Sequence, residues 1–282
     1  MKTRKTHIHS DKGNMLSKLI RYFFGRLFIY SKGNFFKPKT IISTVNGIKY
    51  ELDLSQSIDA HIHFFGYFEH DVTKCIAKFT KQTMTVLDIG ANIGCHTLPL
   101  AHLVGNTGKV IAFEPMEWAR KNLIRNCSLN QFDNIIIEEI GLSDKIETQA
   151  LIFKSNWPID GKHRPDANIK QNIQFETLDN YVKRMDIKVD LIKIDVDGYE
   201  YKIFRGAQNL LETQKPIIIT EVGHTTSRVG ESVEEMVQFL LNLGYDFYSL
   251  KNLKQIKKPM AIVQSLTGSR TTNMILMPSK IV

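Results

Sequence analysis

The chain has 282 residues, of which 37 are Lys or Arg and 29 are Asp or Glu, for a net charge of +8. It is 43% hydrophobic, 10% aromatic and 23% charged, which excludes a disordered, collagen-like or repeat chain. The length fits one large domain with a small appendage, and a core big enough for an enzyme. The charge is uneven: residues 1–50 carry 11 Lys and Arg against one acid, Asp11, and the remainder carries 26 against 28. A basic arm on a near-neutral body is not the pattern of a uniformly basic nucleic-acid binder. Cys75, Cys95 and Cys127 contain no C-x-x-C pair, so neither a disulfide framework nor a zinc site is implied. A reducing, cytoplasmic location is the simplest reading.

Residues 1–14 are too polar for a secretion signal. Over residues 15–30, Leu16, Ile20, Phe23, Phe24, Leu27 and Phe28 recur at helical spacing, with Lys18, Arg21 and Arg26 among them. The arginines stop this stretch from spanning a bilayer. Two readings stay open: a basic amphipathic helix making peripheral contact with an anionic membrane, or a surface helix packing its stripe on the body. Residues 40–45 and 48–52 then flank Asn46-Gly47, a strong hairpin signal. The predicted organisation is a basic arm over 1–39, a hairpin segment over 40–66 and the main domain over 67–282. His61 and His63 would share a face on a strand; with no third ligand in sight they read as surface residues.

From about residue 68 helices and strands alternate. Helices are predicted at 68–81, 94–103, 117–129 and 231–243. Strands are predicted at 86–89, 110–113, 135–137, 191–195, 217–221, 246–248 and 273–276. Apolar strands alternating with amphipathic helices predict an α/β fold with a mainly parallel, doubly wound sheet. Ligands of such sheets bind beyond the carboxyl ends of the strands.

The first strand of this series ends in Asp88-Ile89-Gly90-Ala91-Asn92-Ile93-Gly94. Gly90 and Gly94 allow a tight turn and close backbone approach. Asp88 would repel a pyrophosphate but accept from an ammonium group. Glu114 ends the second strand, where a carboxylate takes both hydroxyls of a ribose. The G-x-G-x-x-G of dinucleotide sites is missing. The pattern therefore points to S-adenosylmethionine, a nucleoside with an amino-acid tail, rather than to NAD.

Asp88 to Gly94 followed by Cys95-His96-Thr97 resembles motif I of class I S-adenosylmethionine-dependent methyltransferases, in the D-x-G-A-N-x-G form of the FkbM family. Ala112-Phe113-Glu114-Pro115, Asn122-Leu123 with Asn126, Gly141-Leu142-Ser143-Asp144 and Thr177-Leu178-Asp179 are similar to that family's next motifs, in order. Ile192 to Glu200 is similar to its I-K-I-D-V-E-G-x-E signature, and Pro216 to Glu221 to the strand that follows. The resemblance spans about residues 65–250 and leaves out the N-terminal arm. It implies a Rossmann-like class I methyltransferase fold, to which the predicted N-terminal helix and β-hairpin are an appendage. It also implies methyl transfer to a hydroxyl of a sugar, glycolipid or related metabolite. Asp88, Gly90, Asn92, Gly94, His96, Thr97, Glu114, Pro115, Gly141, Leu142, Ser143 and Asp195 are the cofactor-binding residues it implies. The chain departs from the family at Asp197, where Glu is usual. The polar segment 155–172 matches nothing, and reads equally as a substrate loop or a surface hairpin.

A hydroxyl acceptor needs a base or a cation to become nucleophilic. Asp195 and Asp197, two apart at a strand end, would share one face. Glu221 ends the strand expected beside them. The three could hold a hard cation such as Mg²⁺; alternatively Asp195 touches cofactor, and Glu200 or Glu221 caps a helix or pairs with Lys193. His224, in a predicted loop, is either a general base or an exposed side chain. The catalytic candidates are Asp195, Asp197 and His224. Two other classes stay open: a nucleic-acid methyltransferase gripping phosphates with the basic arm, and a non-catalytic cofactor-binding scaffold. The near-neutral body and the missing N-P-P-Y type motif weigh against nucleic acid.

Overall fold

The computed structural model describes residues 22–28, 40–154, 168–223, 226, 229–266 and 270–279. Helix α1 (residues 22–28) is followed by strands β1 (Thr40–Val45) and β2 (Ile48–Asp53), paired antiparallel around Asn46-Gly47. Next come helices α2 (Ser57–Phe65) and α3 (His70–Phe79), then β3 (Thr85–Ile89), α4 (Thr97–Val104), β4 (Lys109–Phe113), α5 (Glu117–Ser128) and β5 (Ile135–Glu138). A small excursion follows: β6 (Gly141–Leu142), β7 (Glu147–Lys154) and β8 (Asn168–Glu176). The chain then continues through α6 (Leu178–Met185), β9 (Leu191–Ile194), α7 (Glu200–Arg205), α8 (Gln208–Thr213) and β10 (Ile217–Gly223). It finishes with α9 (Val233–Asn242), β11 (Tyr245–Ser249), α10 (Pro259–Ser265) and β12 (Thr271–Pro278).

Seven strands form the central sheet, in the order β11-β12-β10-β9-β3-β4-β5. β9 and β4 flank β3, and β10 and β5 lie outside them; all these pairs are parallel, as the apolar runs predict. β12 alone is reversed, antiparallel to both β10 and β11. All four residues of β9 are buried, because helices cover both faces of the sheet. Residues of α6, α7, α8, α9 and α10 pack with the strands on one face. Residues of α3 and α4 pack on the other.

The predicted strands and helices of the sheet all occur, with ends shifted by a few residues. The β6–β8 sheet, α6, α7, α8 and α10 were not anticipated. α7 and α8 are six residues each, too short for periodicity to show, whereas β7 and β8 are eight and nine residues long and α6 carries Leu178, Tyr181, Val182 and Met185 at helical spacing, so for those three the signal lay in the sequence. The alternating residues 57–65 are also helical, which corrects the strand considered for His61 and His63. On a helix, residues two apart point in different directions. His61 Nδ1 lies 2.7 Å from Ser57 O, and His63 Nδ1 lies 3.1 Å from Ser43 Oγ.

The hairpin and α2 share a core with the main domain. Val45, Ile48, Tyr50, Leu52 and Ile62 pack with Ala91, Ile93, Leu98 and Leu123. Asn126, 1% exposed, ties the layers together. Its Oδ1 accepts from Glu51 N at 2.7 Å, and its Nδ2 donates to Ile93 O at 2.9 Å. Asn126→Ala leaves both backbone groups without their partner. We expect it to cost about 2–3 kcal/mol, read as a fall of about 5–10 °C in Tm.

Candidate active site

In chain order β3, β4 and β5 step to one side of the sheet, whereas β9 and β10 lie on the other. Loops leaving β3 and β9 therefore diverge, which opens a crevice at the carboxyl ends of the strands. The β3 loop crosses very close to β9: a Cβ on Gly90 would lie 1.9 Å from Asp195 O. Gly90 N donates to Phe113 O at 3.0 Å, and Asp195 N donates to Ile89 O at 3.0 Å. Backbone alone fits at this crossing.

The acid of motif I faces inward. Asp88 is fully buried; its Oδ2 accepts from Thr97 Oγ1 at 2.6 Å, and its Oδ1 lies 3.7 Å from Lys193 Nζ. The ammonium it meets is thus the chain's own. Lys193 Nζ is also 3.5 Å from Asp195 Oδ2. Burial pulls the Lys193 pKa down, but Asp195 and Asp88 more than reverse this and hold it above its ordinary value. Thr97 is fully buried and His96 is 2% exposed. His96 Nε2 lies 3.3 Å from Glu69 Oε2, and Glu69 Oε1 accepts from Asn273 Nδ2 at 2.9 Å. Burial raises the Glu69 carboxyl, but the hydrogen bond and charge of His96, with Lys193 nearby, bring it below the usual range. The structure therefore places Asp88, His96 and Thr97 behind the crevice, as its supports.

Glu114, 6% exposed, holds the other side. Its Oε2 accepts from Asn92 N and its Oε1 from Met116 N, each at 2.8 Å. Burial lifts its pKa to about 7, against the pull of those two N–H groups and of Arg120. Each carboxylate oxygen keeps a lone pair, which suits a pair of ribose hydroxyls. Buried Asn92 Oδ1 has no hydrogen-bond partner. Pro115 O accepts from Gln171 Nε2 and Arg120 Nη1, each at 2.8 Å, so the β7–β8 excursion rests on this corner. Gly141, Leu142 and Ser143 are buried instead in β6 and its packing. Gly141 lies against the Phe175 ring, Leu142 joins the core, and Ser143 O is where a Cβ of Gly206 would fall.

A cleft of about 240 Å³ opens between the two loops, lined by Gly90, Asn92 and Cys95, by Lys193, Asp195, Asp197 and Glu221, and by Ser57, Ile58, Phe68 and Glu69. Asp197 takes a left-handed φ of 53°, which Asp tolerates better than most residues. Glu221 Oε1 accepts from Thr271 Oγ1 at 2.6 Å. Its pKa is raised, first by burial; the Thr271 hydroxyl opposes this, and Asp195 and Asp197 add to it. Glu200 closes the turn after β9: Oε1 accepts from Val196 N at 3.1 Å, and burial lifts its pKa to about 7. Asp195, Asp197 and Glu221 share the cleft, yet no group of three His, Cys, Asp or Glu among the described residues is set to hold a metal ion. His224 and residues 155–167 lie outside the described residues. Glu69 and Gln171 are site residues that sequence reasoning missed; Lys193, expected there as a partner of Glu200 or Glu221, instead meets Asp88 and Asp195.

A parallel sheet of this order with one reversed strand, a glycine loop after its central strand and a carboxylate ending the next is the Rossmann-like class I methyltransferase fold. Residues 88–247, more than half of the chain, match the Methyltransferase FkbM domain, and the chain belongs to that family. It is 26% identical over 154 residues to the hexuronic acid methyltransferase AglP of Haloferax volcanii, covering 54% of this chain and 61% of the relative. It is also 26% identical over 162 residues to Methyltransferase 1 of Beauveria bassiana, covering 48% of this chain and 63% of that protein. The matches thus span less than two thirds of either curated relative. Among solved structures, a methyltransferase FkbM from Methylobacillus flagellatus KT superposes with a TM-score of 0.44 at 14% identity, over 77% of this chain and 52% of that one.

Proposed function

We propose that this protein transfers a methyl group from S-adenosylmethionine to a hydroxyl oxygen of a sugar, glycolipid or related metabolite. The observation that carries the reading is the cleft at the sheet's switch point, with Gly90, Asn92 and Cys95 on one side, a carboxylate cluster on the other, and Glu114 held just behind the loop by Asn92 N. Family membership and the likeness to a hexuronic acid methyltransferase support it. Bound there, S-adenosylmethionine supplies a methyl group already activated on a sulfonium centre. Glu114 would accept from the ribose hydroxyls. The open backbone of the Gly90–Gly94 loop would let the nucleoside approach. Asp195, partly exposed beside Lys193, would take the ammonium of the amino-acid tail, the role that buried Asp88 cannot reach.

The chain's remaining task is to position a hydroxyl and take its proton. Asp197 and Glu221 line the cleft, and Glu221, whose carboxyl pKa is raised first by burial, is the base in this reading. Glu221 would take the hydroxyl proton as the acceptor oxygen receives the methyl group that bound S-adenosylmethionine would supply, with S-adenosylhomocysteine as the leaving product.

Two measurements test this. Calorimetric titration with S-adenosylhomocysteine should show saturable binding that strengthens about tenfold from pH 6 to pH 8, as Glu114 ionises. Glu114→Gln should bind weakly at both pH values. Labelled methyl should then move from S-adenosylmethionine to a hydroxylated saccharide, and Glu221→Gln should lower kcat. Absence of binding, or a preference for NAD, would overturn the cofactor assignment; transfer only to RNA would overturn the acceptor class.

A further inference from the structure

Among the described residues, helix α1 meets the body through one face. Gly25 sits against Phe64, where a Cβ would fall 2.5 Å from the Phe64 Cβ. Phe28 is 2% exposed with its ring 5.0 Å from that of Phe64, and the Tyr22 ring meets Phe65 edge-on at 5.4 Å. The other face leaves Phe23 66%, Phe24 50% and Leu27 44% exposed, with exposed Arg26 beside them. Of the apolar stripe over residues 15–30, Phe28 thus packs inward and Phe23, Phe24 and Leu27 remain outside, while Leu16 and Ile20 lie outside the described residues.

The occupant of that face follows from charge. The first 50 residues carry 11 Lys and Arg and a single acid. A second copy would bring the same positive arm against it. A surface that is both apolar and anionic complements it, and a bilayer rich in anionic phospholipid is such a surface. Among the described residues no helix is long and apolar enough to cross a membrane, so contact here is interfacial. The location is informative too. α2, which holds α1 through Phe64 and Phe65 in its last turn, lines the cleft with Ser57 and Ile58 in its first. The two ends are about 12 Å apart along the helix.

We propose that α1 docks this protein on an anionic lipid surface, holding the mouth of the cleft near the headgroups, where an acceptor carried by a lipid would be presented. The docking stands without the methyl-transfer reading; only the lipid-borne acceptor rests on it.

Flotation of the full chain with vesicles tests the docking without any activity assay. Binding to phosphatidylcholine vesicles containing phosphatidylserine, weakened by salt and absent from phosphatidylcholine alone, is the expected result. The double variant Phe23→Ser, Phe24→Ser should bind at least about tenfold more weakly while binding S-adenosylhomocysteine as before. Failure of the parent chain to bind, equal binding to both vesicles, or a variant that binds as well as the parent would overturn the proposal. So would a concentration-dependent dimer, seen by sedimentation without lipid, that the same substitutions dissociate. If vesicles bind but S-adenosylhomocysteine does not, the docking survives and the cofactor reading falls.

Discussion

Gly90→Ala is expected to cost about 3–5 kcal/mol of stability and to abolish binding of S-adenosylhomocysteine. Two effects add. Gly90 has φ 82°, where an L side chain is strained. Its added Cβ would also sit 1.9 Å from Asp195 O and 3.2 Å from Val196 Cγ1. Neither neighbour can give way easily, since Asp195 N is hydrogen-bonded to Ile89 O at the end of the parallel pairing. The loops of β3 and β9 would have to separate at the point where the proposed site is built. Gly47→Ala is the control: φ is 84°, but nothing lies within 4 Å of the new Cβ. It should cost only the conformational part, about 1 kcal/mol. Thermal unfolding of both variants separates strain from clash, and equal losses would mean that the close crossing is misplaced.

Lys193→Met should be comparably damaging, for an electrostatic reason. The ammonium lies between Asp88 and Asp195 and is buried with them in its reach. Asp195 can turn to solvent, but Asp88 is fully buried and its Oδ1 has no hydrogen-bond partner among the described residues. Removing the cation leaves that carboxylate uncompensated, at about 3–5 kcal/mol. The double variant Asp88→Asn, Lys193→Met should recover at least half of the loss, because the amide oxygen can still accept from Thr97 and no charge is stranded. Additive losses in the double-mutant cycle would show that the two groups do not act as a pair. The pH window follows from the raised Lys193 pKa: its stabilisation is complete below about 10.5, declines as pH rises above that, and is gone once pH passes the folded value. Unfolding compared near neutral pH therefore reads the whole effect.

Much of this architecture is legible along the chain. Four residues, Val86 to Ile89, closed by Gly90, were enough to place β3. Val110 to Phe113, closed by Glu114 and Pro115, placed β4. Such signals are local, because burial on both faces demands apolar runs and a tight strand-to-helix turn demands glycine. The acids at strand ends were equally visible, and Asp195, Asp197 and Glu221 do share one cleft. α2 was not legible: Ser57 to Phe65 mixes histidine, isoleucine and phenylalanine with weak helix preference, and its state comes from packing on β2 and under α1.

The sequence by itself determined the alternation of strands and helices, the glycine loop, the acidic strand ends and the charge imbalance of the first 50 residues. The tertiary structure alone decided which way each polar group points. Asp88 and Lys193 are 105 residues apart, and they meet only because β9 pairs with β3 at that register. Glu69 reaches Asn273 across 204 residues because β12 inserts, reversed, beside β10. A residue's type is set where it stands in the chain, but its burial and its partner are set by strand order, which no local pattern encodes.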